Sequence, residues 1–253
     1  MRKMIRTLRH FVFTPLLFCA AQASAAGVNL GWNDCPGGAT YSLTQTFACN
    51  TNAGIHTLVC SFVAPAGVEM MSANEIVIDV QTGGARLSAW WTYGTGQCRA
   101  VSSLQGNFDF TVGPLTCYDY WQGGAIGALS WSLPPTSTNR CRIKGVFALP
   151  SGDARITSIP EGTQVYSSKA NINNAKSTGL GACAGCSDEA CIVLNTITIN
   201  QPAPQPPRIQ LTNPAPSAFV TWQGWSTIDP ANNCPDVTPT RSRTWGSIKA
   251  LYR

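Results

Sequence analysis

Four segments of this 253-residue chain alternate apolar and polar side chains with a period of two. In Asn74–Thr82, the side chains of Ile76, Ile78 and Val80 share one face of a strand, and Asp79 lies on the other. This pattern indicates a strand with one dry and one wet face, as in an antiparallel sheet. The other three segments are Gly106–Val112, Leu129–Leu133 and Arg140–Leu149.

Shorter apolar runs add four more candidate strands, at Tyr41–Phe47, Thr57–Val63, Thr163–Ile172 and Ile192–Ile199. The chain contains 23 Gly and 17 Pro, so turns separate these runs, and no stretch between them carries a convincing helical period. We therefore predict an all-β fold. The expected architecture is an antiparallel β-sandwich of the jelly-roll or immunoglobulin/cohesin-like type, stapled by disulfides.

Residues 1–26 have the pattern of a cleaved secretory signal. Arg2, Lys3, Arg6 and Arg9 form a basic start, Phe11–Ala21 is apolar, and Ala23-Ser-Ala25 is a cleavage signature. An alternative interpretation is a lipoprotein signal in which Cys19 is acylated. A small residue should precede such a cysteine, and here the bulky Phe18 precedes it. The sequence predicts a secreted protein, extracellular, periplasmic or on the outer surface of a bacterium.

Removing the signal changes the charge balance. Four of the 17 basic residues leave with it, so 13 basic side chains face 12 acidic ones. A nearly neutral chain without a basic run is a poor nucleic-acid binder, so no nucleic-acid partner is expected. We also expect no transmembrane segment in the mature chain, because no second apolar stretch reaches membrane-spanning length.

The mature chain divides by composition. Residues 27–200 carry the strand patterns and are expected to form the sandwich. Residues 201–208 are rich in Pro and predict an extended spacer. Residues 209–253 are expected to be an extension that ends in a short helix, Trp245–Arg253. That last segment could dock to a surface partner or pack back over a sheet edge.

Ten cysteines remain after the signal is removed, and an even number in a secreted chain suggests five disulfides. Local grouping suggests pairing Cys35 with Cys49 and Cys98 with Cys117, and Cys60 and Cys141 would suit a cross-strand or inter-sheet bridge. Spacing alone does not fix the pairing. The disulfide candidates are Cys35, Cys49, Cys60, Cys98, Cys117, Cys141, Cys183, Cys186, Cys191 and Cys234.

The densest cysteine cluster allows a second interpretation. Cys183, Cys186 and Cys191 with Cys234 provide four thiols, enough for a zinc site, and the first two have the C-x-x-C spacing of a redox dithiol. Export to an oxidising compartment favours structural disulfides instead. We therefore predict disulfides and no metal at these residues.

Landmark motifs run along nearly the whole mature chain. They are Gly31-Trp-Asn-Asp-Cys35, Thr46-Phe-Ala-Cys-Asn50, Pro65–Gly67, Trp90-Trp91, Gly181–Asn195, Val220-Thr-Trp-Gln223 and Arg243–Arg253. With these motifs the chain resembles a family of uncharacterised secreted bacterial β-sandwich proteins. The resemblance implies a shared extracellular architecture and brings no established activity. More loosely, strands interrupted by Pro-Ala-Gly turns are similar to cohesin-like and carbohydrate-binding modules, at the level of fold alone.

Two aromatic groups flank the cysteines at 98 and 117 and are the candidate ligand site. If those cysteines were bonded, the rings would meet beside glycine-rich loops. Exposed rings on a rigid platform stack on sugars, so the rings suggest carbohydrate binding. The alternative is that they belong to the core. The candidate residues are Trp90, Trp91, Tyr93, Tyr118, Tyr120 and Trp121.

The sequence offers few residues that could form a catalytic site. His56 is the one histidine left after the signal, and no Gly-x-Ser-x-Gly motif supplies a nucleophile. Asp79, Asp109 and Asp119 are candidate carboxylates for glycoside hydrolysis, although solvated faces explain them as well. A structural calcium near Asp188 lacks the spacing of an EF-hand, so no cofactor is predicted.

The leading functional hypothesis is a secreted, non-catalytic protein that binds a glycan or a cell-surface protein through the aromatic patch. A structural component that assembles through exposed strand edges or its C-terminal segment is the alternative. A carboxylate-based glycan hydrolase is the second alternative.

Overall fold

The computed structural model describes residues 26–112, 116–135, 137–206, 208–215 and 217–224. This part of the chain is built from β-strands, with two short 3₁₀ turns at Ala89–Trp91 and Val101–Ser103, which confirms the all-β prediction. The strands are β1 (Gly27–Trp32), β2 (Thr44–Gln45), β3 (Ile55–Val63), β4 (Ala73–Thr82), β5 (Leu104–Asn107), β6 (Ile126–Ser132), β7 (Arg140–Ala148), β8 (Gln164–Asn173), β9 (Ala190–Asn200), β10 (Arg208–Leu211) and β11 (Phe219–Trp222).

The strands form two sheets that pack face to face. The first has the order β1-β3-β8-β5, and the second β2-β11-β9-β4-β7-β6, with β10 also paired to β9. All pairs are antiparallel except β11 with β2. Hydrogen bonds join the two layers: the Asn74 amide donates to Ser167 Oγ at 3.0 Å, and the Trp32 indole donates to the Thr221 carbonyl at 2.9 Å.

The core lies between these sheets and follows the period-two pattern. The dry face predicted for β4, Ile76, Ile78 and Val80, is buried, as are Ile143 and Phe147 on β7. Side chains alternate across a strand, so one apolar residue in two is enough to build this layer.

The segment Gly106–Val112 departs from its predicted strand. β5 ends at Asn107, because the Asp109 carboxylate accepts hydrogen bonds from the backbone and hydroxyl of Thr111 and forms a turn. Phe110 then folds onto the first sheet and stacks on Tyr166, with ring centroids 4.0 Å apart. Local side-chain hydrogen bonding outcompetes the strand pattern here.

The region expected to be a spacer and an extension contributes to the sandwich. β10 and β11 both pair with β9, so the second sheet continues past residue 208. The Pro-rich segment between β9 and β10 is held by Gln201, whose buried amide bonds four backbone groups. The predicted terminal helix, Cys234 and nearly all of the signal segment lie outside the described residues.

The disulfides join different cysteines from those that local grouping suggested. Three bridges link distant loops, so neither Cys35–Cys49 nor Cys98–Cys117 forms, and Cys191 is disulfide-bonded as well. The cross-strand or inter-sheet bridge suggested for Cys60 and Cys141 does not form: both are buried free thiols, on different sheets, and their cross-strand neighbours are Ser168 and Val80. The three bridges are Cys35–Cys117, Cys49–Cys186 and Cys98–Cys183.

Candidate functional site

The aromatic candidates are mostly core residues. Trp90, Trp91, Tyr120 and Trp121 are fully buried and Tyr93 is 3% exposed. Tyr118 alone among the six is exposed, at 40%. Large rings gain most from leaving water, so the sandwich uses them for packing. The exposed platform that the sequence suggested is therefore not formed.

The two aromatic groups lie toward opposite ends of β8. The Trp121 indole donates to the carbonyl of Ser167, whereas Arg99, which stacks on Trp90, bonds Asn173 at the end of the strand. Six residues of strand separate these contacts, about 20 Å. Their flanking cysteines are bonded to different partners, so nothing brings the groups together.

The Trp90 end is organised by a buried arginine. The Arg99 guanidinium lies 3.8 Å from the Trp90 ring centroid and donates to the backbone carbonyl of Trp90 and the hydroxyl of Tyr93. Its remaining donors reach the carbonyls of Ala175 and Asn173. Burial lowers the pKa of Arg99, and the Tyr93 hydroxyl opposes that shift. These contacts fix the loop after β4 to the end of β8.

His56 belongs to the same end of the sandwich and is packed rather than poised for catalysis. Its ring centroid is 3.7 Å from that of Phe47 and 5.1 Å from that of Trp222. Its Nε2 lies 2.7 Å from the Asn174 amide oxygen. Burial lowers the pKa of His56, so the neutral ring is favoured. An amide partner and aromatic neighbours indicate a structural role.

The candidate carboxylates are each engaged locally. Asp79 on β4 forms a two-point ion pair with Arg142 on β7, at 2.7 and 2.8 Å. Asp109 closes its turn with Thr111, and Asp119 accepts hydrogen bonds from the backbone of Trp121 and Gln122. Asp79 is on the second sheet, whereas the other two lie in the loops near the first. The described residues hold no group of three His, Cys, Asp or Glu side chains that could bind a metal.

The C-x-x-C cysteines of the cluster also form structural disulfides. Cys183 and Cys186 are bonded to Cys98 and Cys49, in two separate loops. Their sulfurs are thus neither a dithiol nor free ligands in this structure. Together the two bridges fasten the loop between β8 and β9 to the β2–β3 loop and the β4–β5 loop.

The exposed feature that sequence reasoning missed is the edge strand β6. It reads Ile-Gly-Ala-Leu-Ser-Trp-Ser, and five of its seven residues are exposed. In the described chain it pairs with β7 alone, at the end of the second sheet. β6 contains no charged residue and no proline, and its pairing with β7 has no β-bulge. These are the features that usually prevent an edge strand from pairing with another chain.

Hydrogen bonding fixes which backbone groups of β6 face outward. Leu149 N donates to Ser72 O at 2.9 Å and Thr82 N to Asn139 O at 3.1 Å, so odd-numbered residues of β7 bond β4. Even-numbered residues of β7 therefore bond even-numbered residues of β6. The N–H and C=O groups of Gly127, Leu129 and Trp131 are left pointing away from the sheet.

The other edges are short or covered. β2 has two residues and β5 has four. The edge of β1 is closed by Asn213 and Ser217, with Val28 N donating to Asn213 O at 2.7 Å and Leu30 N to Ser217 O at 2.8 Å. Among the described strands, β6 is the longest of these edge strands, and β5 of the first sheet packs against it, with Gly106 beside Leu129.

The surface beside this edge is apolar at one end and basic at the other. Ile126 is 66% exposed and Val146, the cross-strand neighbour of Ala128, is 55% exposed. Farther along β7 come the exposed Lys144 and then Arg142. The uncharged run from 126 to 132 is visible in the sequence, but its place at the end of the sheet is not.

Comparison with protein-family models, curated proteins and solved structures finds no match for this chain. In the part of the chain that the structure describes, no helix has the length and apolar character needed to cross a bilayer.

Proposed function

We propose that this protein is a secreted, non-catalytic binding protein that captures an extended polypeptide segment by β-strand addition at β6. The carrying observation is this edge: seven uncharged residues that pair with β7 alone in the described chain, with three pairs of backbone groups facing away from β7. An extended segment placed there gains main-chain hydrogen bonds, and its side chains meet the surface beside the edge.

Secretion is part of this proposal. It rests on the signal pattern of residues 1–26 and is supported by three disulfides, which persist in oxidising compartments. The strand-addition proposal replaces the aromatic platform as the binding surface, because five of the six rings chosen for sugar stacking are buried. It keeps the class of function, an extracellular protein that binds a partner.

Blocking one outward amide tests the proposal. In Leu129→Pro the ring removes an N–H that faces away from β7, so the β6–β7 ladder keeps its bonds. Leu129→Ala shortens the same side chain but keeps the N–H and is the matched control. Near-ultraviolet circular dichroism on both variants establishes that they fold.

The probes are labelled synthetic peptides: one with the sequence of residues 124–134, and one of alternating Thr and Val. We expect fluorescence anisotropy to show binding, and amide shifts at Gly127, Leu129 and Trp131 to place it. Leu129→Pro should weaken binding about tenfold, and Leu129→Ala less. Binding by neither peptide, or equal binding by both variants, would refute strand addition at β6.

A further inference from the structure

The partner of Cys191 follows by elimination. Cys191 is disulfide-bonded, but six of the other described cysteines form the three bridges above, and Cys60 and Cys141 are free thiols. Of the eleven cysteines in the chain, this leaves Cys19 and Cys234. Cys19 belongs to the predicted signal, so in the secreted chain the partner is Cys234.

We infer that a Cys191–Cys234 disulfide fastens the C-terminal segment, residues 225–253, over the outer face of the second sheet, where it covers part of β4, β9 and β11. The inference is independent of strand addition at β6. The bond forms as the two thiols pass two electrons and two protons to a disulfide oxidant of the export compartment.

The outer face of the second sheet is buried where Cys191 lies. Directly opposite residues of antiparallel strands share one side of the sheet, so two cross-strand rows define this face. The rows are Arg142, Asp79, Val193 and Phe219, and Arg140, Gln81, Cys191 and Thr221. The buried members are Asp79, Val193, Gln81, Cys191 and Thr221. Val193 is apolar and 3% exposed, on a face that would otherwise meet water.

The described strands do not account for this burial. The main contacts of β4, β9 and β11 are with their neighbours in the sheet and, on the core side, with β1 of the first sheet. Where the same outer face continues onto β7 it is open, because Val146 is 55% exposed and Lys144 is exposed. The cover is therefore local to the strands around Cys191, and a segment other than the described strands supplies it.

The chain leaves the described part beside this region. Gln223 and Gly224 follow the end of β11 and have positive φ, 59° and 62°, a combination that reverses the chain in tight turns. Thr221 lies directly opposite Cys191, so Gly224 is three residues from that row, about 10 Å. The ten residues from Gly224 to Cys234 can extend over about 33 Å, so they reach Cys191 with length to spare for crossing the face.

The composition of the segment suits an apolar cover. Trp225, Ile228 and Val237 lie on either side of Cys234 in the sequence. Apolar side chains held beside Val193 by the bridge remove apolar surface from water on both sides of the contact. The C-terminal extension thereby belongs to the sandwich instead of docking to a surface partner.

Disulfide mapping on the mature protein tests the pairing. Asp-N protease cleaves before Asp188, Asp229 and Asp236, which places Cys191 and Cys234 on separate fragments, 188–228 and 229–235, with one cysteine each. We expect mass spectrometry of the alkylated, non-reduced digest to find these fragments as one species that reduction separates. Alkylation of Cys191 without reductant, or its bonding to any other fragment, would overturn the inference.

A double-mutant cycle tests the cover. Val193→Lys should lower the melting temperature by about 5 °C in the bridged protein, and by less than half as much in a Cys234→Ser background, where the released segment lets the lysine reach water. Val146→Lys makes the same change on the exposed part of the face and should shift it by about 1 °C at most in either background. Equal shifts for Val193→Lys in the two backgrounds would overturn the cover.

Discussion

At the scale of single residues, His56 shows how the fold assigns a role that its chemistry alone leaves open. An imidazole between Phe47 and Trp222 loses hydration, and the positive charge of Arg99 further disfavours its protonation. The hydrogen bond to the Asn174 amide oxygen raises the pKa of His56 without reversing the shift. The folded protein therefore binds a proton at His56 less readily than the unfolded chain does.

This difference predicts acid sensitivity. The folded-state pKa of His56 lies below the ordinary value of 6.5, so its contribution is complete above that pH and is lost as pH falls through 6.5 toward the folded-state pKa. Melting temperatures of the wild type should fall between about pH 7 and pH 5 more steeply than those of His56→Gln, which cannot titrate. Parallel pH profiles for the two proteins would contradict the prediction.

At the scale of elements, the connection from β9 to β10 depends on one side chain. The Gln201 oxygen accepts the N–H groups of Glu69 and Met70 at 2.8 and 3.1 Å. Its nitrogen donates to the carbonyls of Gly67 and Pro206 at 3.0 and 3.1 Å. A fully satisfied buried amide anchors a segment whose prolines leave it few backbone donors of its own.

Gln201→Glu should therefore be costly. It turns the two donors into an acceptor that faces two carbonyl oxygens, and we expect urea unfolding to show a loss of about 2–4 kcal/mol. Gln210→Glu makes the same change on the exposed face of β10 and should stay within about 0.5 kcal/mol of the wild type. Equal losses in both variants would show that the Gln201 network does not anchor the segment.

The sequence predicted elements where one local rule dominates. Alternation located β4, β6 and β7, because one buried face per strand leaves a period of two. It failed after Asn107, where the Asp109 turn competes with the strand. The role of the Trp90 and Trp121 groups could not be predicted, because whether a ring is buried depends on which distant loops cover it. The edge position of β6 depends equally on the strand order, which no local pattern contains.

At the scale of the whole molecule, the disulfides tie together parts that are far apart in sequence. The bridges span 82, 137 and 85 residues, which is why neighbouring cysteines were poor guides to the pairing. Closing loops of this length restricts the unfolded chain, by about 4–5 kcal/mol for each bridge in the chain-entropy description. The core contributes the rest of the stability and shelters Cys60 and Cys141, the two unpaired cysteines among the described residues.

Those two thiols give a test of the whole pairing scheme. Cys60 and Cys141 are fully buried, and burial raises the pKa of each to about 12, so the reactive thiolate is absent in the folded protein. Iodoacetamide should leave both unlabelled in the native state and label both in guanidinium without reductant, as mapped by mass spectrometry. Cys183 and Cys186 should react with iodoacetamide only after a reductant has opened their disulfides. Labelling of either one without reductant would mean that the C-x-x-C thiols are free, which would revive the zinc and redox interpretations.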